Sequence, residues 1–341
     1  MKFGPVPIDS AEGKILGHNI AGLDGRRALR KGRALTRTDI EILRGIGRQE
    51  IYVAELEPGD IDENQAAGRI ARAAAGPGIR LSTSSAGRVN FLSQRQGILR
   101  IDPAGLFWIN SFDGVTLSTR PANQPLAEKE LAATLKIIPY ALPGETVESI
   151  ESPHGQAGPA ISVEELGPKK VGLIFSSATE ARQRVLNDFE APLRERIEGL
   201  GSVVERIDFV PLDEETGESD LAAILRRMEE ARIDLIVLAG ETAIMDRQDI
   251  APRAVEQAGG RVECVGVPVD PGNLLMVAFL GDIPVLGAPG CARSRKTNVI
   301  DWVLPRLLVG EKLRREDLIG MSIGGLLEDT PLRPRPRTED S

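Results

Sequence analysis

From Lys169 onward the chain alternates short apolar runs with longer amphipathic ones, and this rhythm constrains the fold more than any other feature. "KVGLIF" reads as a strand buried on both faces, since it lacks the polar alternation of a half-exposed strand. "ARQRVLNDFEAPLRERIEGLG" follows, with Val185, Leu186, Phe189, Leu193, Ile197 and Leu200 at helical spacing and Gly201 as its stop. A strand ("SVVERIDFV"), a helix ("SDLAAILRRMEEARI") and a second buried strand ("DLIVLAG") come next. Then follow a helix ("IAPRAVEQAGG"), a strand ("RVECVGVPV"), and a hairpin ("LLMVAFLGDIPVLG") turning at Gly281-Asp282. "SRKTNVIDWVLPRLLVG" reads as a closing helix. Strands alternating with helices of this length predict a three-layer, doubly wound, mostly parallel α/β sheet covered on both faces.

The preceding part reads differently. Residues 1–80 form a mixed α/β region in which Thr38 is a plausible N-cap for "DIEILRGIG", with Gly45 or Gly47 ending that helix. A strand ("EIYVAEL") and an alanine-rich helix ("DENQAAGRIARAAAG") follow. Residues 81–167 are β-rich, with partial alternation in "GILRID", "GVTLSTR" and "ATLKIIPYAL". The Pro-, Gly-, Ser- and Glu-rich stretch 143–168 reads as a linker or long excursion. The α/β domain is assigned to 168–315, and residues 316–341 to an extension ending in a Pro- and charge-rich tail, "TPLRPRPRTEDS".

Composition narrows the function classes. A net charge of −8 argues against a general nucleic-acid binder, which would show a basic face, but leaves room for a local anion pocket. Cys264 and Cys291 are too few for a disulfide framework and point to a reducing compartment. His18 and His154 lie far apart and near no cysteine pair, so a zinc site is not expected. The start "MKFGPVPIDS" has no signal-peptide core, and no apolar run reaches the roughly 18 residues that span a bilayer. A cytoplasmic protein without membrane partners is the expectation.

In open parallel sheets, ligands bind beyond the carboxyl ends of the strands. Four loops sit there. Ser176, Ser177, Thr179 and Glu180 follow the first strand and offer hydroxyls and free N–H groups to an anion, or simply cap the next helix. Gly240, Glu241 and Thr242 follow "DLIVLA"; Gly240 allows close backbone approach, and Thr242 can donate a hydroxyl. Asp246 and Asp249 could hold Mg²⁺ or accept a proton, or Asp249 could be an N-cap. Pro271, Gly272 and Asn273 make a turn before the hairpin. Pro289 and Gly290 precede a cationic knot of Arg293, Arg295 and Lys296, with Ser294 beside Arg293 in the first turn of the next helix. Gly290 to Thr297 has P-loop length, but Arg295 stands where the second glycine must be, so no P-loop is assigned. Cys291 reads as a packing residue.

Taken together, these loops resemble the molybdopterin-binding domain shared by molybdopterin adenylyltransferases and molybdopterin molybdenumtransferases. Ser176, Ser177 and Glu180 match the Ser/Thr-rich loop with an acidic residue. Ala239-Gly240-Glu241-Thr242 with Asp246 and Asp249 matches the Gly-Gly-Thr/Ser signature, Pro271-Gly272-Asn273 a Pro-Gly-Lys/Asn element, and Ala288-Pro289-Gly290 a Leu-Pro-Gly element. The wording "VDPGNLL" and "GAPGCARS" is most similar to modules fused to molybdenum-cofactor nucleotidyltransferases, and "INSFDGVTL" to the region that precedes them.

The resemblance implies a molybdopterin or Mo-molybdopterin ligand, Mg²⁺, and a role in cofactor biosynthesis, with Asp246 and Asp249 as catalytic or metal-binding candidates. Gly240, Gly290 and Arg293 would hold the terminal phosphate, and Ser176, Ser177 and Thr242 the polar edges of the pterin. It also implies a homo-oligomer, a nucleotide as a further ligand, and a non-catalytic docking or carrier role for a separate nucleotidyltransferase or molybdoenzyme as the alternative. Two departures stand out. Glu241 occupies a position where relatives carry a small residue; beside a phosphate it costs about 1 kcal/mol at roughly 4 Å in water unless a cation or metal offsets it. No separate nucleotidyltransferase domain is present in the sequence.

Overall fold

The computed structural model describes residues 1–152, 159–212, 215–241 and 243–327, and the chain divides into two compact units, Met1–Glu164 and Glu165–Ser341. Among the described residues no helix is long and apolar enough to cross a membrane.

The second unit is the α/β fold that the sequence rhythm calls for. Its six-stranded sheet runs in the order Val203–Pro211, Lys170–Ser177, Leu235–Gly240, Ile283–Gly287, Met276–Leu280, Arg261–Val265. The first four are parallel neighbours; Met276–Leu280 is antiparallel to both strands beside it. It is one arm of the hairpin turning at Gly281-Asp282. Helices Gly217–Glu230 and Ile250–Gln257 bury Leu221, Leu225, Met228, Ala254 and Val255 against Ile174, Ile236, Leu238 and Val285 on one face. Successive strand residues alternate in direction, so Leu173 and Phe175 point to the other face, where helix Arg182–Gly199 packs on the Lys170–Ser177 strand. Burial on both faces is why the central strands read as unbroken apolar runs.

Two local expectations change. The closing helix is only Ile300–Leu308: Val299 stands at its N-cap position, and Asn298 Oδ1, just ahead of it, accepts from the Ile300 N–H at 3.0 Å. Residues 294–298 therefore lie outside the helix, and Arg293 ends a separate 3-10 turn, Gly290–Arg293, with Ser294 as its cap. The expected placement of Arg293 and Ser294 in the first turn of that helix does not hold.

In the first unit, a three-stranded antiparallel sheet (Lys2–Pro7, Glu50–Glu55, Ile15–Leu16) carries helix Arg37–Gly45 over a core of Leu16, Leu35, Ile40, Leu43 and Val53. Thr36, not Thr38, is the N-cap. Its hydroxyl accepts from Asp39 N–H while Asp39 Oδ2 accepts from Thr36 N–H at 2.9 Å, a reciprocal pair that the Thr-x-x-Asp spacing allows. The helix ends at Gly45, and Gly47 has a positive φ of +77°. Beyond it, helix Glu63–Ala74 lays its alanine stripe on a four-stranded antiparallel sheet (Val115–Thr119, Leu131–Ile137, Arg88–Ser93, Ile79–Leu81). The stretch read as a linker contains helix Gly144–Glu151, whose Val147 and Ile150 are buried at i, i+3 spacing, and strand Ile161–Glu165. Residues 153–158 of that stretch, and the terminal tail, lie outside the described residues.

Candidate functional site

The carboxyl edge of the second unit's sheet gathers the sequence-derived loops through strand register. Ser176 pairs with Gly240, Leu238 with Gly287, and Gly287 with Met276, so the four loops leave the sheet side by side. Lys170–Ser177 connects outward to Val203–Pro211 on one side, while the chain after Leu235–Gly240 goes to the other side. The gap between them is the topological switch point, where a doubly wound sheet opens a crevice.

Each loop is held differently. A Cβ on Gly240 would lie 2.5 Å from Ser176 Oγ and 2.6 Å from Ser176 O, so only glycine lets the two strand ends meet. Glu241 then donates its N–H to Ser176 O at 3.0 Å, and its carboxylate pairs with Arg184 from the first turn of helix Arg182–Gly199. That pairing supplies the cation which the departure at Glu241 requires. Thr242 lies outside the described residues.

Ser177 is buried, and its hydroxyl donates to Ala178 O at 2.8 Å, while Ser176 is half-buried at the edge. Neither serine caps the next helix, which starts without any side-chain cap. Glu180 is exposed in the 3-10 turn Thr179–Ala181. Arg182 covers the Phe209 ring, 4.9 Å from its centroid. Two arginines in a helix's first turn oppose its dipole unless something compensates, and here a carboxylate and an aromatic face do so.

Asp246 and Asp249 shape their own loop. Asp249 Oδ2 accepts from Met245 N–H at 2.5 Å and Asp246 N–H at 2.9 Å, and Asp246 Oδ1 accepts from Gln248 N–H at 2.8 Å. Asp249 sits at the N-cap position of Ile250–Gln257 but makes no capping bond to it. Among the described residues no group of three His, Cys, Asp or Glu could hold a metal ion. Ile244 plugs the loop into the sheet end, 2.6 Å from where a Gly287 Cβ would stand, and Arg247 donates to the carbonyls of Val262 and Glu263 at 3.1 Å.

The Pro271-Gly272-Asn273 turn is positioned by Val299. Gly272 has φ +131°, and a Cβ there would lie 2.2 Å from Val299 Cγ1. Val299 N–H also donates to Pro271 O at 3.2 Å. Asn273 is exposed.

The Pro289–Lys296 loop is organised by a residue that motif reading passes over. Arg196 is only 10% exposed at its side chain and pairs with Asp301 at 2.9 Å. Its guanidinium also donates to the carbonyls of Ala292 (3.2 Å), Ser294 (2.7 Å) and Lys296 (3.1 Å). A five-donor fork suits such a task. The signal was available: Phe189, Leu193 and Arg196 follow i, i+4, i+7, which puts an arginine on the buried stripe. Arg295 is bidentate to Glu195, and that charge assistance holds the Glu195 carboxyl below its ordinary pKa. Arg293 is exposed with no ion pair among the described residues, and nothing stands within 4 Å of where a Gly290 Cβ would be.

Cys264 is buried, its thiol donating to Gly266 O at 2.9 Å, and burial pushes its pKa up, the opposite of an activated nucleophile. A cleft of about 370 Å³ opens at the other, amino-terminal edge of the sheet, lined by Lys169, Arg232, Asp234, Asp282 and Leu307, far from all four loops.

Comparisons with known proteins add the following. A family described as a domain of unknown function (DUF8806) matches residues 5–55. No curated protein matches the sequence. Among solved structures, a molybdenum cofactor biosynthesis protein from Pyrococcus furiosus aligns with 12% identity and a TM-score of 0.25, over 91% of this chain and 64% of that one. This chain thus spans less than two thirds of that protein. The molybdopterin biosynthesis enzyme MoaB from Thermus thermophilus aligns with 19% identity and a TM-score of 0.30, over 42% of this chain and 98% of that one. The molybdopterin biosynthesis MoeA protein from Pyrococcus horikoshii aligns with 14% identity and a TM-score of 0.29, over 91% and 75%. At such identities and scores, these likenesses decide nothing about the chemistry of this chain.

Proposed function

We propose that this protein binds molybdopterin or the molybdenum cofactor at the carboxyl edge of its second unit and serves molybdenum cofactor biosynthesis as a binding and carrying module. The observation that supports this reading most is the side-by-side placement of the four motif-bearing loops at the sheet's switch point. The donor set suits a phosphate-bearing pterin. The open side of Gly290 admits an anion to the backbone, and the exposed Arg293 guanidinium supplies charge-assisted hydrogen bonds. Arg184 cancels the Glu241 carboxylate, so the edge does not repel a phosphate outright. Ser176 offers a half-buried hydroxyl to the polar rim of the ring.

A carrying role is favoured over nucleotidyl or molybdenum transfer because one oxygen of each of Asp246 and Asp249 is spent on N–H groups of their own loop and, among the described residues, no group of three His, Cys, Asp or Glu could hold a metal ion. Mg²⁺, if it takes part, arrives with the phosphate rather than in a preformed acidic nest. A homo-oligomer, and docking to a separate nucleotidyltransferase or molybdoenzyme, belong to the same proposal.

Equilibrium binding of molybdopterin to the purified chain, with and without Mg²⁺, is the test. Arg293→Ala is expected to weaken the complex roughly tenfold and flatten its salt dependence, as loss of one charge-assisted contact implies. Absence of binding in both conditions overturns the reading; unchanged affinity and salt slope in Arg293→Ala removes Arg293 from the site.

A further inference from the structure

The first unit carries a second, separate concentration of positive charge. Between Gly25 and Thr38 the chain has Arg26, Arg27, Arg30, Lys31, Arg33 and Arg37 and no carboxylate. These residues form the hairpin strand Arg27–Leu29, paired with Ile20–Ala21, and the segment leading to helix Arg37–Gly45. All six are exposed. Arg33 pairs with Asp39, whereas Arg26, Arg27, Arg30, Lys31 and Arg37 have no ion pair among the described residues. Five uncompensated cations within so short a stretch repel one another, which is tolerated at the surface and becomes useful when a polyanion lies across them.

Beside this hairpin stands an aromatic cluster. Phe3 and Tyr52 are each 48% exposed, and His18 is exposed between them. Ring centroids lie 5.7 Å apart for Phe3–His18, 5.9 Å for Phe3–Tyr52 and 5.4 Å for His18–Tyr52. Three exposed rings in mutual contact contribute little to a core, yet the backbone is shaped around them: a Cβ on Gly17 would lie 2.8 Å from Phe3 Cε2. The cluster and the cations are fixed together. Lys31 N–H donates to Asn19 Oδ1 at 2.9 Å, Gly32 N–H to Leu16 O at 2.8 Å, and Gly17 N–H to Tyr52 O at 2.8 Å.

We infer that this face binds single-stranded nucleic acid, with the hairpin cations on successive phosphates and the Phe3–His18–Tyr52 rings stacking unpaired bases. Cations following a backbone beside aromatic rings are the recurring solution for single strands. A free nucleotide suits the surface poorly, because small ligands need concave sites that bury most of their area, and an exposed hairpin offers none. An acidic protein surface would use the cations but not the rings. The whole-chain charge of −8 does not speak against this: it is an average, and these 14 residues hold six cations. The site lies in the first unit, so it stands or falls independently of the pterin reading.

The test is fluorescence anisotropy of the full chain with a labelled oligothymidylate of about 12 nucleotides across a salt series. Binding is expected to weaken with salt with a log–log slope of about −2 to −3.5, from roughly 0.7 per neutralised phosphate. The triple variant Arg26→Gln, Arg27→Gln, Arg30→Gln removes no internal contact and should lower affinity more than tenfold while flattening the slope. Tyr52→Leu keeps apolar bulk and should cost about tenfold with the slope unchanged, the loss of one stacked base. Undetectable binding at low salt, or binding that survives the triple variant, overturns the inference. Equal competition by poly-L-glutamate together with an unaffected Tyr52→Leu also overturns it, in favour of an acidic protein partner.

Discussion

Arg295 and Lys296 stand in a loop whose carbonyls are gripped by the buried Arg196, and the Arg295 charge meets Glu195; Arg26, Arg27 and Arg30 stand on a hairpin whose one carboxylate, Asp24, accepts from the Arg26 backbone N–H and makes no ion pair with them among the described residues. Both stretches look alike as clusters of cations in an acidic sequence. In the loop, the buried guanidinium of Arg196 substitutes for the regular backbone bonds that an irregular segment lacks, and Glu195 meets the exposed Arg295. In the hairpin positive charge is turned outward and left unmatched. Clustered cations therefore mean little until the carbonyls and carboxylates around them are accounted for.

The largest effect expected from this contrast is at Arg196. Arg196→Met keeps the length and apolar stem but strands Asp301 and three carbonyls, so urea unfolding should show a loss of about 3 kcal/mol. The triple glutamine variant of the hairpin should change stability by less than about 0.5 kcal/mol. Comparable losses for the two would mean that the hairpin cations are internal struts too.

Much of the second unit was legible because its signal is local. A strand buried on both faces must be apolar throughout, and "KVGLIF" and "DLIVLA" could hardly be anything else. The loop positions followed from strand order. Arg184 carried no local signal, and Arg196 showed only as an arginine on the buried helix stripe, since what they do depends on partners 57 and 105 residues away in sequence, Glu241 and Asp301. The helix at 144–151 hid in a Pro-, Gly- and Glu-rich stretch, because two buried residues, Val147 and Ile150, were enough to fix it once helix Glu63–Ala74 lay beside it. Thr36 rather than Thr38 is the cap because a reciprocal bond fixes it, and Asp39 answers only Thr36.

Two glycines of the proposed site give the next largest contrast. Gly240→Ala drives a methyl to within 2.6 Å of backbone oxygen, so a loss of about 2–3 kcal/mol is expected from thermal or urea unfolding. Gly290→Ala meets open space and should cost under about 0.5 kcal/mol, yet it places a methyl where the anion would approach and should weaken molybdopterin binding. A Gly290→Ala variant that is stable and binds normally would move the phosphate away from this loop.

The smallest effect concerns the base of the hairpin, where outward charge is tied to the core at one point. Burial alone would raise the Asp39 pKa, but the Thr36 N–H and hydroxyl, together with Arg33, more than offset this and hold it below the ordinary carboxylate value. A depressed folded-state pKa contributes stability that is complete above the unfolded value, near 4, and is lost as pH falls through the folded one. Asp39→Asn should therefore cost about 1–2 kcal/mol at neutral pH, and the difference from wild type should shrink as the solution is acidified below about pH 4. Arg33 is half-exposed, so added salt should trim only a minor part of that cost, the capping bonds supplying the rest. If instead the cost of Asp39→Asn disappeared in high salt at neutral pH, the Arg33 charge would be the main tether. The hairpin would then depend on its own cations for shape, and the division between inward and outward charge would fail at its base.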